Sequence, residues 1–107
     1  MPDPCRILVV EDEPDLAELI AYNLRIDGHE VEVARDGAEA LKAVDREAPH
    51  LILLDLMMPR LTGQQVAERL KQAPGTSKIP IIMLTAKSEE RDELEGLELG
   101  ADDYITK

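Results

Sequence analysis

Three acidic residues stand directly behind apolar runs. Glu11 and Asp12 follow Ile7-Leu8-Val9-Val10, and Asp55 follows Leu51-Ile52-Leu53-Leu54. Thr85 comes after the run from Ile79 to Leu84, and Lys107 after Asp103-Tyr104-Ile105-Thr106. Any one acid in such a place is an ordinary solvated turn residue. If the runs are neighbouring parallel strands, however, all five groups gather on the rim where open α/β sheets bind ligands. Carboxylates collected there repel: two unit charges about 4 Å apart cost roughly 4 kcal/mol at an effective dielectric near 20. Such a cluster protonates, sits apart or holds a cation. Oxygen donors without His or Cys select a hard divalent ion, and few protein ligands in an open, hydrated site favour Mg²⁺ over Ca²⁺. No twelve-residue calcium loop is present. Magnesium beside a carboxylate, a hydroxyl and a lysine suits phosphoryl transfer, in which a carboxylate can serve as nucleophile and form an aspartyl phosphate.

The intervening stretches read as the elements that would position these groups. Ile7–Val10, Leu51–Leu54 and Ile79–Leu84 are continuously apolar, as strands buried on both faces should be. Glu30-Val31-Glu32-Val33-Ala34 alternates like a strand with one wet face, and 103–106 is short and polar; both suit sheet edges. After Pro14, Leu16, Leu19, Ile20 and Leu24 are read as one helical face, closed by Gly28. Asp36 caps a helix that carries Leu41 and Val44 inward and stops at Pro49. Val66, Ala67 and Leu70 mark a third helix that ends before Pro74-Gly75, and Ser88 caps a fourth over 89–99. Strands alternating with helices predict a doubly wound, five-stranded parallel α/β sheet of flavodoxin-like order 2-1-3-4-5. The whole of 1–107 reads as one domain, and such a sheet wants a fifth helix after Lys107 to cover the last strand, supplied by further chain, by a partner or by a swapped element.

Composition removes whole classes of function. The 107 residues hold 12 basic and 23 acidic side chains, a net charge of −11, which repels nucleic-acid backbones. Direct DNA or RNA binding by this segment is therefore not expected. No apolar run approaches the 18 or so residues of a membrane span, and Ile7–Val10 is too short for a signal-peptide core. The lone Cys5 excludes an internal disulfide and agrees with a reducing cytoplasm. His29 and His50 pair with no Ser or Cys motif and read as ordinary surface residues. With no Trp, no Phe and two Tyr, an aromatic platform for bases or flavin is not expected either.

Four segments together resemble the receiver domain of bacterial two-component response regulators. They are Ile7-Leu8-Val9-Val10-Glu11-Asp12-Glu13, Leu51 to Pro59 with Gly63, Met83-Leu84-Thr85-Ala86, and Gly100 to Lys107. The wording is most similar to the subfamily that joins a receiver to a winged-helix DNA-binding domain. The resemblance implies that Asp55 is the phosphoacceptor and that a sensor histidine kinase supplies the phosphoryl group. It implies that Asp12, Asp55 and the backbone carbonyl of Met57 bind Mg²⁺, with Glu11 acting directly or through water. It further implies that Thr85 and Lys107 hold the phosphoryl oxygens, that Tyr104 is the switch residue, and that a homodimer face lies on the fourth helix and fifth strand. Glu93 stands where dimerising members often carry a basic residue. The residues agree with these roles. Phosphorylation nearly doubles the charge at Asp55 and adds acceptor oxygens, to which Thr85 can donate while Lys107 pairs with another. Drawing Thr85 inward vacates a space that Tyr104 can fill. Met57 and Lys87 stand near enough in sequence to govern the access of water.

Rival readings fare less well. An aspartate-nucleophile phosphatase wants an acid two residues after the nucleophile, and position 57 is Met, so a signalling phosphoacceptor is expected rather than a turnover enzyme. A nucleotide or flavin binder needs a glycine-rich cradle where Glu11-Asp12-Glu13 stand. A receiver-like interaction module that is never phosphorylated has no need of Glu11, Asp12, Asp55, Thr85 and Lys107 together.

Overall fold

The structure of the protein, a computed structural model, describes residues 5–55, 62–85 and the backbone of 103–106. Met57, Lys87, Lys107, Glu93 with the expected fourth helix, and the side chains of Thr85 and Tyr104 lie outside the described residues. The element order is β1 (Arg6–Val10), α1 (Pro14–Ile26), β2 (Glu30–Ala34), α2 (Gly37–Arg46), β3 (Leu51–Asp55), α3 (Gly63–Gln72), β4 (Ile81–Thr85) and β5 (Asp103–Thr106). All strand pairings are parallel, in the order β2-β1-β3-β4-β5, as the alternation of apolar runs and helical stretches predicts. β4 starts two residues later than the apolar run, because Ile79 donates its N–H into a turn at Thr76.

The sheet separates two apolar layers. Leu8, Val10, Ile52, Leu54, Ile81 and Met83 meet α2 and α3 through Ala40, Ala43, Val44, Val66, Ala67 and Leu70. Alternate residues of the same strands, Ile7, Val9, Leu53 and Leu84, face the other way with Ile20 and Leu24 of α1. Side chains that alternate across each strand thus build a core on both faces. The α1 stripe departs from expectation: Leu19 is 58% exposed, and the buried residues are Ala17 and Ala21. Positions 16, 17, 20, 21 and 24 fall on one side of a 3.6-residue spiral. Leu19 lies off that stripe, with Tyr22 and Ile26.

Local signals fix the helix ends. Pro14 occupies the first turn of α1, where a missing N–H costs nothing. At the other end Gly28 takes φ +93°, its N–H bonds Arg25 O and His29 N bonds Leu24 O, a Schellman closure that feeds directly into β2. Asp36 caps α2 by accepting from Glu39 N at 2.8 Å. Thr62 and Gln65 form a reciprocal capping box on α3: Thr62 Oγ1 accepts from Gln65 N, and Gln65 Oε1 accepts from Thr62 N. Thr62→Ala removes one half of that box and is expected to cost about 1 kcal/mol, read as a lowered denaturation midpoint with an unchanged m-value.

Both histidines do structural work at the amino end of the sheet. His29 and His50 each immediately precede a strand flanking β1. Their Nδ1 atoms accept the N–H of Cys5 at 3.2 Å and of Arg6 at 2.8 Å. Arg6 also bridges Glu30 at 3.0 Å and Glu47 at 2.5 Å, tying β2 and the end of α2 to the start of β1. These contacts hold the end of β1 opposite to the acids.

Candidate metal and phosphoryl-transfer site

The carboxyl ends of β1 and β3 bring the expected acids together. Val10 pairs in register with Leu54, which sets Glu11 beside Asp55 in the next row. Each of Glu11, Asp12 and Asp55 contributes a carboxylate oxygen to a group whose members all lie within 4.8 Å of one another. Glu11 and Asp55 are buried, at 0% and 1% exposure, while Asp12 is half-buried and opens the cluster to solvent. Each buried acid keeps one oxygen, Glu11 Oε2 and Asp55 Oδ2, that accepts no hydrogen bond, while both residues retain other interactions. The register explains the pairing: Ile7–Val10 lies alongside Leu51–Leu54, and the acid that follows each run falls in the next row.

A hard divalent cation fits this donor set. The donors are all carboxylate oxygens, and the softer candidates Cys5, His29 and His50 sit at the far end of β1, about 16 Å away for a five-residue strand. Two buried acids would supply ligands to such an ion, and the half-buried third would leave room for the waters that a small hydrated ion retains. The pair Glu11 and Asp55 is too deep to act as solvated turn residues. A groove of about 330 Å³ between α2 and α3, floored by Leu41, Val44, Leu70 and Ala73, shares no residue with the cluster.

Of the site residues expected from the sequence, the structure therefore unites Glu11, Asp12 and Asp55. Thr85 ends β4, the strand next to β3, with Asp55 paired to Leu84 one residue before it. Tyr104 lies on β5 in register with Met83. The carbonyl of Met57 and the ammonium of Lys107 fall outside the described residues.

Comparison with known proteins decides the family. The family model described as the response regulator receiver domain matches residues 7–107. The chain belongs to the response regulator receiver domain family. It is 52% identical over 102 residues to the alkaline phosphatase synthesis transcriptional regulatory protein PhoP of Bacillus subtilis, covering 95% of this chain and 42% of that protein. It is 45% identical to the phosphate regulon transcriptional regulatory protein PhoB of Rhizobium meliloti, covering 95% of this chain and 45% of that protein. This receiver domain thus spans less than half the length of these relatives. A response regulator from Chloroflexus aurantiacus superposes with a TM-score of 0.94 at 35% identity, over 98% of this chain and 86% of that one. The chemotaxis protein CheY4 of Vibrio cholerae superposes with a TM-score of 0.91 at 28% identity, over 98% and 88%.

Receiver domains are signalling modules that histidine kinases phosphorylate and that bind Mg²⁺ through acidic residues, and the acidic cluster is present here. Among the described residues no helix is long and apolar enough to cross a membrane.

Proposed function

We propose that Asp55 is the phosphoacceptor of this receiver domain, and that Glu11 and Asp12, with Asp55 and the main-chain carbonyl of Met57, hold Mg²⁺. The observation that carries the reading is the convergence of three carboxylate oxygens within 4.8 Å, two of their residues buried, at the ends of two adjacent parallel strands. The bound ion would neutralise charge on the transferring phosphoryl group. The rest of the chemistry belongs to the chain.

A carboxylate oxygen of Asp55 forms the new O–P bond. The bond from phosphorus to the donor breaks, and the leaving imidazole nitrogen of a kinase phosphohistidine, or the acetate oxygen of acetyl phosphate, departs with its electron pair. The rigid end of β3 keeps the nucleophile in place. Glu11 and Asp12 orient the approach by fixing the site's charge. Thr85 donates its hydroxyl to one phosphoryl oxygen, Lys107 pairs with another, and Tyr104 occupies the space that Thr85 leaves. The changed surface is that of the fourth helix and fifth strand, which also offers the homodimer face. Hydrolysis of the acyl phosphate resets the domain, so it is a stoichiometric switch and not a turnover enzyme.

The relatives are transcriptional regulators by name, and their greater length leaves room for an output module. The whole protein is read accordingly as a cytoplasmic regulator whose DNA contact resides in a winged-helix domain outside these 107 residues. The acidic receiver domain itself makes no direct contact with DNA.

Asp12→Asn tests the metal assignment separately from the nucleophile. Removing one anionic ligand is expected to weaken Mg²⁺ binding by about tenfold or more, on the scale of changes around a metal site. Calorimetric titration of the unphosphorylated chain reads this, and an unchanged affinity would remove Asp12 from the ligand set.

A further inference from the structure

We propose that Arg35 is an electrostatic positioning residue for the phosphodonor, drawing anionic donors to the acidic rim and moderating its hold on the metal. This rests on the reading of Asp55 as phosphoacceptor. The registers Val10↔Ala34 and Val10↔Leu54, carried one residue further, place Arg35, Glu11 and Asp55 in a single row across β2, β1 and β3. The hydrogen bond from Glu11 N to Ala34 O, 3.0 Å long, shows that the parallel pairing continues through that row. With strands about 4.8 Å apart, the backbone of Arg35 stands about 5 Å from that of Glu11 and about 10 Å from that of Asp55.

Charge gives this position its meaning. The described Lys and Arg residues other than Arg35 lie at the start of β1, ahead of β4 or within the helices: Arg6, Arg25, Lys42, Arg46, Arg69, Lys71 and Lys78. Among the described residues Arg35 is therefore the one cation directly behind a strand's carboxyl end, and it is exposed. A phosphodonor is an anion approaching three acids on a chain of net charge −11. A cation at the end of the row lowers that barrier and raises the local donor concentration. The same cation opposes a divalent ion in the cluster. The proposal therefore has two consequences of opposite sign, slower phosphorylation and tighter metal binding when the charge is removed. A merely structural role for Arg35 would produce neither the pairing of signs nor a salt dependence.

The test compares the 107-residue chain with Arg35→Gln and Arg35→Glu. Phosphorylation by acetyl phosphate at saturating Mg²⁺ is followed by intact mass, and Mg²⁺ affinity is measured by calorimetry without donor. At low salt the rate is expected to fall about threefold for Gln and about tenfold for Glu, within the range of electrostatic steering. Near 0.5 M salt, where screening lengths shrink to a few Å, both should return to within about twofold of the parent. Mg²⁺ should bind about twofold tighter to the Gln variant, where no new carboxylate can act as a ligand. With phosphoramidate, which carries less negative charge, the rate losses should be smaller. Parental rates at low salt with unchanged metal affinity overturn the proposal, as does a loss of rate that salt does not restore. A parent chain that takes up no phosphoryl group overturns the Asp55 reading and this one with it; a phosphorylated parent beside indifferent Arg35 variants overturns this one alone.

Discussion

Asp55→Asn is expected to take up no phosphoryl group from acetyl phosphate and Mg²⁺, while the parent gains the mass of one and loses that gain when the metal is chelated. The amide oxygen is neutral and a poor nucleophile, so the loss should be complete within the sensitivity of intact mass. A phosphorylated Asn variant would place the acceptor elsewhere and end the account. The same substitution carries a second, independent signature. Three ionised carboxylate oxygens within 4.8 Å repel pairwise by at least about 3.5 kcal/mol at an effective dielectric near 20, and buried Asp55 belongs to two of those pairs. Without metal, the variant should therefore melt at a higher temperature than the parent, and saturating Mg²⁺ should shrink or reverse the difference. A site that holds like charges together for the sake of binding a cation is less stable without it, the trade expected of functional sites. A melting temperature unchanged by the substitution, with and without Mg²⁺, would show that the cluster stores no such repulsion.

Leu54→Ala is expected to be the most damaging single truncation beside the site. Leu54 has 0% exposure and belongs to the layer that α2 and α3 cover, paired in register with Val10 on one side and Met83 on the other. Removing the isopropyl end of its side chain loses transfer free energy and leaves a cavity between strands, for about 3 kcal/mol. That is a large part of the 5–15 kcal/mol available to a domain of this size. Urea unfolding reads it as a lower midpoint at constant m. The control is Leu19→Ala on α1, where a leucine 58% exposed should change stability by no more than about 0.5 kcal/mol. Equal losses at the two positions would contradict the burial pattern. Because Leu54 packs into the layer under α2 and α3 and contributes no group to the acidic cluster, its variant should still be phosphorylated at low temperature, where the folded population is high, and lose that capacity as the domain melts.

Much of this receiver domain could be read without coordinates, for a local reason. Apolar runs of four to six residues alternate with helix-period stretches, and the acids stand immediately behind the runs. A strand buried on both faces has to be apolar throughout, so Ile7–Val10 and Leu51–Leu54 declare themselves as central. The alternation of Glu30–Ala34 declares an edge. From these the sheet order follows through the handedness of parallel crossovers. The capping box of Thr62 and Gln65 is present in the sequence as a Thr-x-x-Gln signature just ahead of the apolar residues that mark the third helix.

What depended on the tertiary structure is what distant segments do to one another. Periodicity put Leu19 on the inward face of α1, yet small residues at 17 and 21 let the helix sit down on a neighbouring stripe and left Leu19 in solvent. The histidines looked idle because their partners, the first amides of β1, are 24 and 44 residues away. Likewise, the row of Arg35, Glu11 and Asp55 exists because two registers coincide at Val10, and a slip of one residue in either pairing would turn those side chains to opposite faces. The chain by itself determined which residues could carry the chemistry and on which elements, since side-chain type and period are properties of neighbours in sequence. Only the packed sheet decided which of their atoms meet, because strand register is set by long-range burial and hydrogen bonding that no local pattern contains.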